Sequence, residues 1–259
     1  MNLVFASGFF EPQKLVRIDY FRDLPKVYPD ALFPEVPVDA HISERAPRLA
    51  QQIQARFPNG DIHVIAHSMG GLDTRYLLAK KLLGLDQRIK SLSTISTPHR
   101  GSPVADLLLG LIPGIDSAPF QKFLNHFPAV GSGALDDLST RAAVTFNHEI
   151  KDVPGVTYRS YFGFGNTSLA LRPTVEFIRS RGTTNDERTN DGVVSLASAK
   201  WPVDLVEQPW TADHLAQIGH NLDSLDLISR FDHKTAIARV VHRATEAAAA
   251  AAAAAAPQG

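Results

Sequence analysis

Apolar and polar positions along this chain follow two periods that take turns. Short apolar runs mark residues 3–6 (Leu3-Val4-Phe5-Ala6), 62–66, 89–95 and 156–164 as strands, and a poorly marked strand is expected near residues 31–38. Between them Ile42, Ala46, Leu49, Ala50, Ile53 and Phe57 recur at helical spacing. Ser43 fits the N-cap of that helix, Pro47 falls in its first turn where a missing N–H costs little, and Pro58-Asn59-Gly60 ends it. Further helices are expected around residues 20–28, from 69 to 83 with a stop at Gly84, and as a closing helix over 222–241. Alternation of this kind predicts an α/β fold, a mostly parallel sheet flanked by helices.

After Thr97-Pro98-His99-Arg100-Gly101-Ser102 the pattern changes. Leu107 to Ile112, Phe120, Phe123, Leu124, Phe127 and Val130 are interrupted by Pro113, Gly114, Pro119, Pro128, Gly131 and Gly133, which reads as short apolar helices separated by breakers. Residues 103–145 are therefore expected to form a helical lid or cap insertion, although a packed excursion of the core fits the same pattern. The whole is read as one α/β domain over residues 1–246, followed by a low-complexity alanine-rich tail over 247–259.

Size and composition narrow the function. A chain of 259 residues with 44% hydrophobic content is long enough for one large core and short for two domains with linkers. Lys plus Arg number 26 against 27 Asp plus Glu, and no basic cluster with interleaved aromatics occurs, so a neutral substrate is expected and nucleic acid is not. Without cysteine there is no disulfide, thiolate metal site or cysteine nucleophile. The first apolar run lacks a basic leader and contains Ser7 and Gly8, so it reads as a strand entering a loop, and any export signal is expected to have been removed. The alanine run from residue 247 to 256 is about half of the roughly 20 residues that span a bilayer, so no transmembrane segment is expected.

The strand over 62–66 runs directly into His67-Ser68-Met69-Gly70-Gly71, placing Ser68 at the tip of a tight turn before a helix. A serine hydroxyl is a weak nucleophile at neutral pH and needs a base beside it and donors for the oxyanion that its attack creates. Ala66 and Gly70 supply the small residues two before and two after the serine that such a turn requires; an ordinary serine cap on a helix would look the same. Hydrolases of this layout supply the partners in the order serine, acid, histidine. Asn190-Asp191-Gly192, a turn before an apolar segment, offers Asp191 as the acid with Asp186 as runner-up. Asp213-His214-Leu215 offers His214 as the base; His220 and His233 fall near the final helix, and His67 and His99 are read as hydrogen-bonding groups that fix loops. The oxyanion donors are expected to be the backbone N–H groups of Met69 and of Phe9 in the early loop, each worth roughly 3 to 4 kcal/mol in the transition state.

With these residues in view the chain resembles the bacterial triacylglycerol lipases of the α/β-hydrolase superfamily, of the Pseudomonas and Burkholderia type. The resemblance runs from Leu3 to about Val241 and rests on Val4-Phe5-Ala6-Ser7-Gly8-Phe9, Asp19-Tyr20-Phe21, Ala66-His67-Ser68-Met69-Gly70-Gly71, Thr97-Pro98-His99-Arg100-Gly101-Ser102 and residues 134–140, besides the segments holding Asp191 and His214. It implies Ser68 as nucleophile, Asp191 as orienting acid, His214 as general base and acid, a lid over an acyl-binding cleft, and an ester or lipid substrate met at an oil–water interface. It also implies an extracellular protein, although no signal peptide is evident. Ser7 stands where those lipases have histidine, and their disulfide is impossible here. The expected activity is hydrolysis of carboxylic esters through an acyl-enzyme without an organic cofactor. A short-chain esterase, a polyester depolymerase and a non-catalytic lipid-binding relative are the alternatives.

The resemblance also bears on metal. Many of those lipases hold a structural calcium ion near the catalytic histidine, with an aspartate two residues after it; here that position is Ala216, the expected glutamine six after it is His220, and residues 169–175 contain no carboxylate. Calcium prefers several hard oxygen ligands, so no metal site is expected unless Asp213 or Glu176 rebuilds one. Melting temperature and ester hydrolysis should be unchanged by EDTA. A fall of several degrees that calcium alone restores would contradict this reading.

Overall fold

The computed structural model describes residues 1–9, 19–116, 132–202, 204–221 and 230–255. Four strands, β1 (Asn2–Ala6), β2 (Ile62–His67), β3 (Ile89–Ile95) and β4 (Thr157–Tyr161), form a parallel sheet in sequential order. The β1–β2 connection holds α1 (Leu24–Val27) and α2 (Ile42–Arg56); α3 (Gly70–Ala79) joins β2 to β3; α4 (Pro103–Leu108), α5 (Ser132–Leu138) and α6 (Thr140–Glu149) precede β4. α7 (Arg172–Arg181), α8 (Asn185–Arg188), α9 (Leu196–Ala199) and α10 (His233–Ala255) follow it.

Period two in the strands sends side chains to both faces, and helices cover each. Leu3, Phe5, Ile65, Ile95 and Tyr161 pack on Ala236, Ile237, Val240 and Val241 of α10. Val4, Ala6, Val64, Ala66 and Leu92 pack on Ala46, Leu49, Ala50 and Ile53 of α2 and on Leu77 and Leu78 of α3. The helical stripe read from the sequence is thus the buried face of α2.

Several boundaries differ from the sequence reading, each for a local reason. The strand expected at residues 31–38 shrinks to one bridge, in which Leu32 N–H donates to Leu3 O at 2.9 Å and Phe5 N–H to Leu32 O at 2.8 Å. Pro34 and Pro37 have no N–H to extend that ladder. The helix expected over 20–28 is only α1, entered from Asp23 at φ 59. α2 starts at Ile42, one residue before the expected cap, and Pro47 lies in its second turn; the Ile42 N–H donates to Asp137 Oδ2 at 2.6 Å. α3 stops at Ala79, where Lys81 and Leu83 turn to positive φ before Gly84 does. The strand expected over 156–164 pairs with β3 from Thr157 to Tyr161, and beyond that continues only as a single bridge from Gly163 to Trp210. Residues 222–229 of the expected closing helix lie outside the described residues, and α10 begins at His233 and runs on into the alanine-rich tail. Of the expected lid, α4 and α5 stand at its two ends, while residues 117–131 lie outside the described residues.

Candidate active site

The carboxyl ends of the parallel strands converge on one place. β2 ends at His67 and α3 begins at Gly70, so Ser68 and Met69 alone turn the chain. Ser68 lies at φ 55, in the left-handed region that side chains rarely adopt. Neighbouring segments hold it there: Ser68 N–H donates to Ile95 O at 3.0 Å, and Thr97 Oγ1 donates to Ser68 O at 2.8 Å. A methyl group at Gly70 would run into the carbonyl oxygens of Ala6 and Ser7 at the end of β1, and one at Gly71 into the Thr97 side chain. Close packing of the turn against both adjoining strands therefore requires the two glycines. Ala66 pairs with Ala6 and Thr94 in the ladder and stays out of the positive-φ region, which is why alanine serves where glycine is commoner.

Asp191 and His214, 23 residues apart in sequence, meet at hydrogen-bond distance, with His214 Nδ1 at 2.8 Å from Asp191 Oδ2. The backbone N–H of His214 donates to Asp191 O at 2.9 Å, so both main chain and side chain tie the pair. A carboxylate acceptor at Nδ1 puts the imidazole proton on that nitrogen and leaves Nε2 as an acceptor. Asp191 is fully buried; its Oδ1 accepts from Val193 N at 2.9 Å and Val194 N at 2.8 Å, and its Oδ2 also accepts from Gln217 Nε2 at 3.2 Å. Asp213 organises the turn that carries His214: its carboxylate accepts from the backbone N–H groups of Ser168, Leu215 and Ala216 at 2.8, 3.2 and 2.9 Å. Burial raises the Asp213 carboxyl above its usual value, and those donors oppose the shift.

Ser68, His214 and Phe9 line one cavity, whose other walls include Val104, Leu108, Leu135, Leu138, Leu171 and Val193. No Lys, Arg, Asp or Glu lies among its described lining residues. Among the described residues, neither Phe9 nor Met69 commits its backbone N–H to a protein acceptor.

The runner-up groups are engaged elsewhere. Asp186 pairs with Lys200 at 2.8 Å on the surface. His220 Nε2 donates to Tyr20 O at 2.9 Å, and His233 Nε2 donates to Arg22 O at 2.8 Å. His99 contacts Arg75 and Thr94. His67 shares a hydrogen bond of 2.7 Å with the Tyr20 hydroxyl, and its ring centre lies 4.5 Å from that of His214. Burial, with His214 as a further unfavourable neighbour, pushes His67 well below the usual imidazole range and keeps it neutral. Glu176 pairs with Arg179 at 2.9 Å on the surface, and Asp213 is held by the backbone N–H groups named above.

Sequence reasoning missed a buried ion pair behind the serine. Arg45 of α2 pairs with Asp73 of α3 at 2.8 Å, both side chains essentially without exposure. The same guanidinium donates to Ser7 O at 3.1 Å, Gly8 O at 3.2 Å and Pro37 O at 2.7 Å, and so pins the loop that carries Phe9. Burial raises the Asp73 carboxyl and the Arg45 charge opposes it. The available signal was a charge beside Ile42, Ala46 and Leu49 on the apolar stripe of α2. Arg45→Met strands Asp73 in the core and should cost about 3–5 kcal/mol of stability. Arg45→Met with Asp73→Leu should recover most of that in a denaturant titration, yet keep a low turnover, because the Ser7 and Gly8 carbonyls remain without their donor. Wild-type turnover in the double variant would contradict this role.

Comparison with known proteins agrees with this architecture. A triacylglycerol lipase 2 from Saccharomyces cerevisiae is 33% identical over 182 residues, covering 64% of this chain and 51% of the yeast protein. A triacylglycerol lipase from Burkholderia plantarii is 26% identical over 59% of this chain and 48% of its own length. This chain spans about half the length of these curated relatives. Two solved structures share the fold: the Staphylococcus hyicus lipase, at a TM-score of 0.68 and 17% identity over 95% of this chain and 96% of that one, and a metagenomic carboxyl esterase, at 0.69 and 22% over 95% and 76%. The family model for the alpha/beta hydrolase fold matches residues 36–184, and with more than half of its length inside that match the chain belongs to the α/β-hydrolase fold family.

Proposed function

We propose that this protein is a serine hydrolase that cleaves carboxylic esters of lipid-like substrates through an acyl-enzyme. The observation that carries the reading is Ser68, held at positive φ beside an apolar cavity that it shares with the Asp191-bound His214. In this mechanism His214 Nε2 takes the proton as Ser68 Oγ attacks the ester carbonyl, and the N–H groups of Phe9 and Met69 receive the developing oxyanion. The imidazolium, steadied by Asp191, then gives its proton to the departing alcohol. Water, activated by the same imidazole, adds to the acyl-enzyme and releases the acid.

The absence of charged side chains from the described cavity walls favours a neutral, apolar acyl group. The names of the curated relatives point the same way, toward triacylglycerols, and a substrate presented at an oil–water interface fits both. The segment over 103–145 is proposed to cover the cleft, since α4 and α5 at its two ends contribute Val104, Leu108, Leu135 and Leu138 to the walls. Among the described residues no helix is long and apolar enough to cross a membrane.

The test is a panel of p-nitrophenyl esters from acetate to palmitate beside emulsified triglyceride and a polyester film. Hydrolysis should favour longer acyl chains over acetate, vanish in Ser68→Ala, and fall by several orders of magnitude in His214→Ala and in Asp191→Asn without the losses adding. A folded wild-type protein inactive on every ester would overturn the reading in favour of a lipid-binding role.

A further inference from the structure

We infer that Gln217 is a positioning residue for the proposed Ser68–His214–Asp191 machinery, holding the carboxylate of Asp191 in the orientation that His214 requires. The inference rests on the catalytic reading of Asp191 and His214 given above. Gln217 lies three residues after His214, in the turn Ala216–Ile218, and is fully buried. Its Nε2 lies 3.2 Å from Asp191 Oδ2, the oxygen that also accepts the His214 imidazole at 2.8 Å. With Val193 and Val194 on Oδ1, each carboxylate oxygen then accepts two hydrogen bonds, the full complement of an ionised acid.

The direction of the amide follows from chemistry. A carbonyl oxygen facing a carboxylate would oppose acceptor to acceptor, so the NH2 end must point at Asp191. That choice has a consequence on the other side: among the described residues, Gln217 Oε1 is buried without a hydrogen-bond partner. An orphaned buried acceptor destabilises the folded state, and a methionine or leucine would fill the same space without that penalty. A residue that serves packing alone has no use for the amide; one that orients Asp191 does.

The surrounding backbone makes room for this contact. A methyl group at Gly163, just past β4, would stand 3.1 Å from Gln217 Nε2 and 2.6 Å from Ala212 O. The chain there is tied by a bridge between Gly163 and Trp210, so it has little freedom to retreat. Gln217 is not among the described residues that line the cavity. Its influence on the reaction therefore passes through Asp191 and not through the substrate.

Two variants separate orientation from packing. Gln217→Leu and Gln217→Met both remove the donor and the orphaned oxygen, the first with a change of shape and the second with the length kept. The measurements are kcat and KM on a p-nitrophenyl ester, the melting temperature, and the low-field proton resonance of the His214–Asp191 hydrogen bond, assigned by its loss in His214→Ala. We expect kcat to fall roughly 10- to 100-fold in both variants with KM within about twofold, as for other residues that orient an active-site ligand from behind. The resonance should shift or broaden, and the melting temperature of Gln217→Met should not fall. Wild-type kcat with an unmoved resonance in either folded variant would overturn the inference. Asp191→Asn tells the two levels apart: if it retains full turnover the catalytic reading fails and this inference with it, and if it is inactive while both Gln217 variants work normally, only the role of Gln217 is wrong.

Discussion

Ser68 is a serine held at φ 55, a backbone state that costs a side-chain-bearing residue about 1–3 kcal/mol and persists only where its surroundings over-determine it. The rest of the site is arranged by what holds it. β3 accepts its N–H through Ile95, Thr97 beyond β3 grips its carbonyl, and the end of β1 presses on Gly70. Parallel order β1-β2-β3-β4 brings four strand ends together, and each contributes one part: the loop with Phe9, the serine, the Thr97 segment, and the Gly163 backbone that faces Gln217.

Two buried carboxylates behind this turn show how the fold handles charge. Asp73 is neutralised by a guanidinium, and that same guanidinium reaches on to the carbonyls of the Phe9 loop, so an ion pair in the core is coupled to the proposed oxyanion donors. Among the described residues Asp191 has no Lys or Arg beside it. Its charge is met by two backbone N–H groups, an imidazole and an amide, an arrangement that keeps it available to His214. Removing Arg45 leaves the Asp73 charge buried and unpaired, the expensive outcome, whereas Asp191 Oδ2 still accepts from His214 when the Gln217 amide is lost.

How far the sequence could be read follows from the range of the forces involved. β2, the serine turn and β3 were legible because period, turn chemistry and small residues are all local between Ile62 and Ile95. The strand at residues 31–38 was over-read, since Pro34 and Pro37 weigh more than the apolar content around them. The cap of α2 was illegible, because the acceptor for Ile42 N–H comes from Asp137, 95 residues away. Asp191 and His214 were nominated through their order and turn context, and the structure brings the two side chains together, but Gln217 carries no local signal: only the meeting of residues 163, 191 and 217 gives its amide a purpose. Arg45 stood in plain view on an apolar stripe, where a charge ought to have demanded a partner.

The central claim is that Ser68 Oγ is the nucleophile, and the most direct measurement is mass spectrometry of the protein after inactivation with an alkyl p-nitrophenyl phosphonate. The account predicts one phosphonyl group per chain, on the peptide that contains Ser68, with loss of ester hydrolysis in proportion to labelling. An adduct on another residue, or an unlabelled protein that is inactivated all the same, would contradict it.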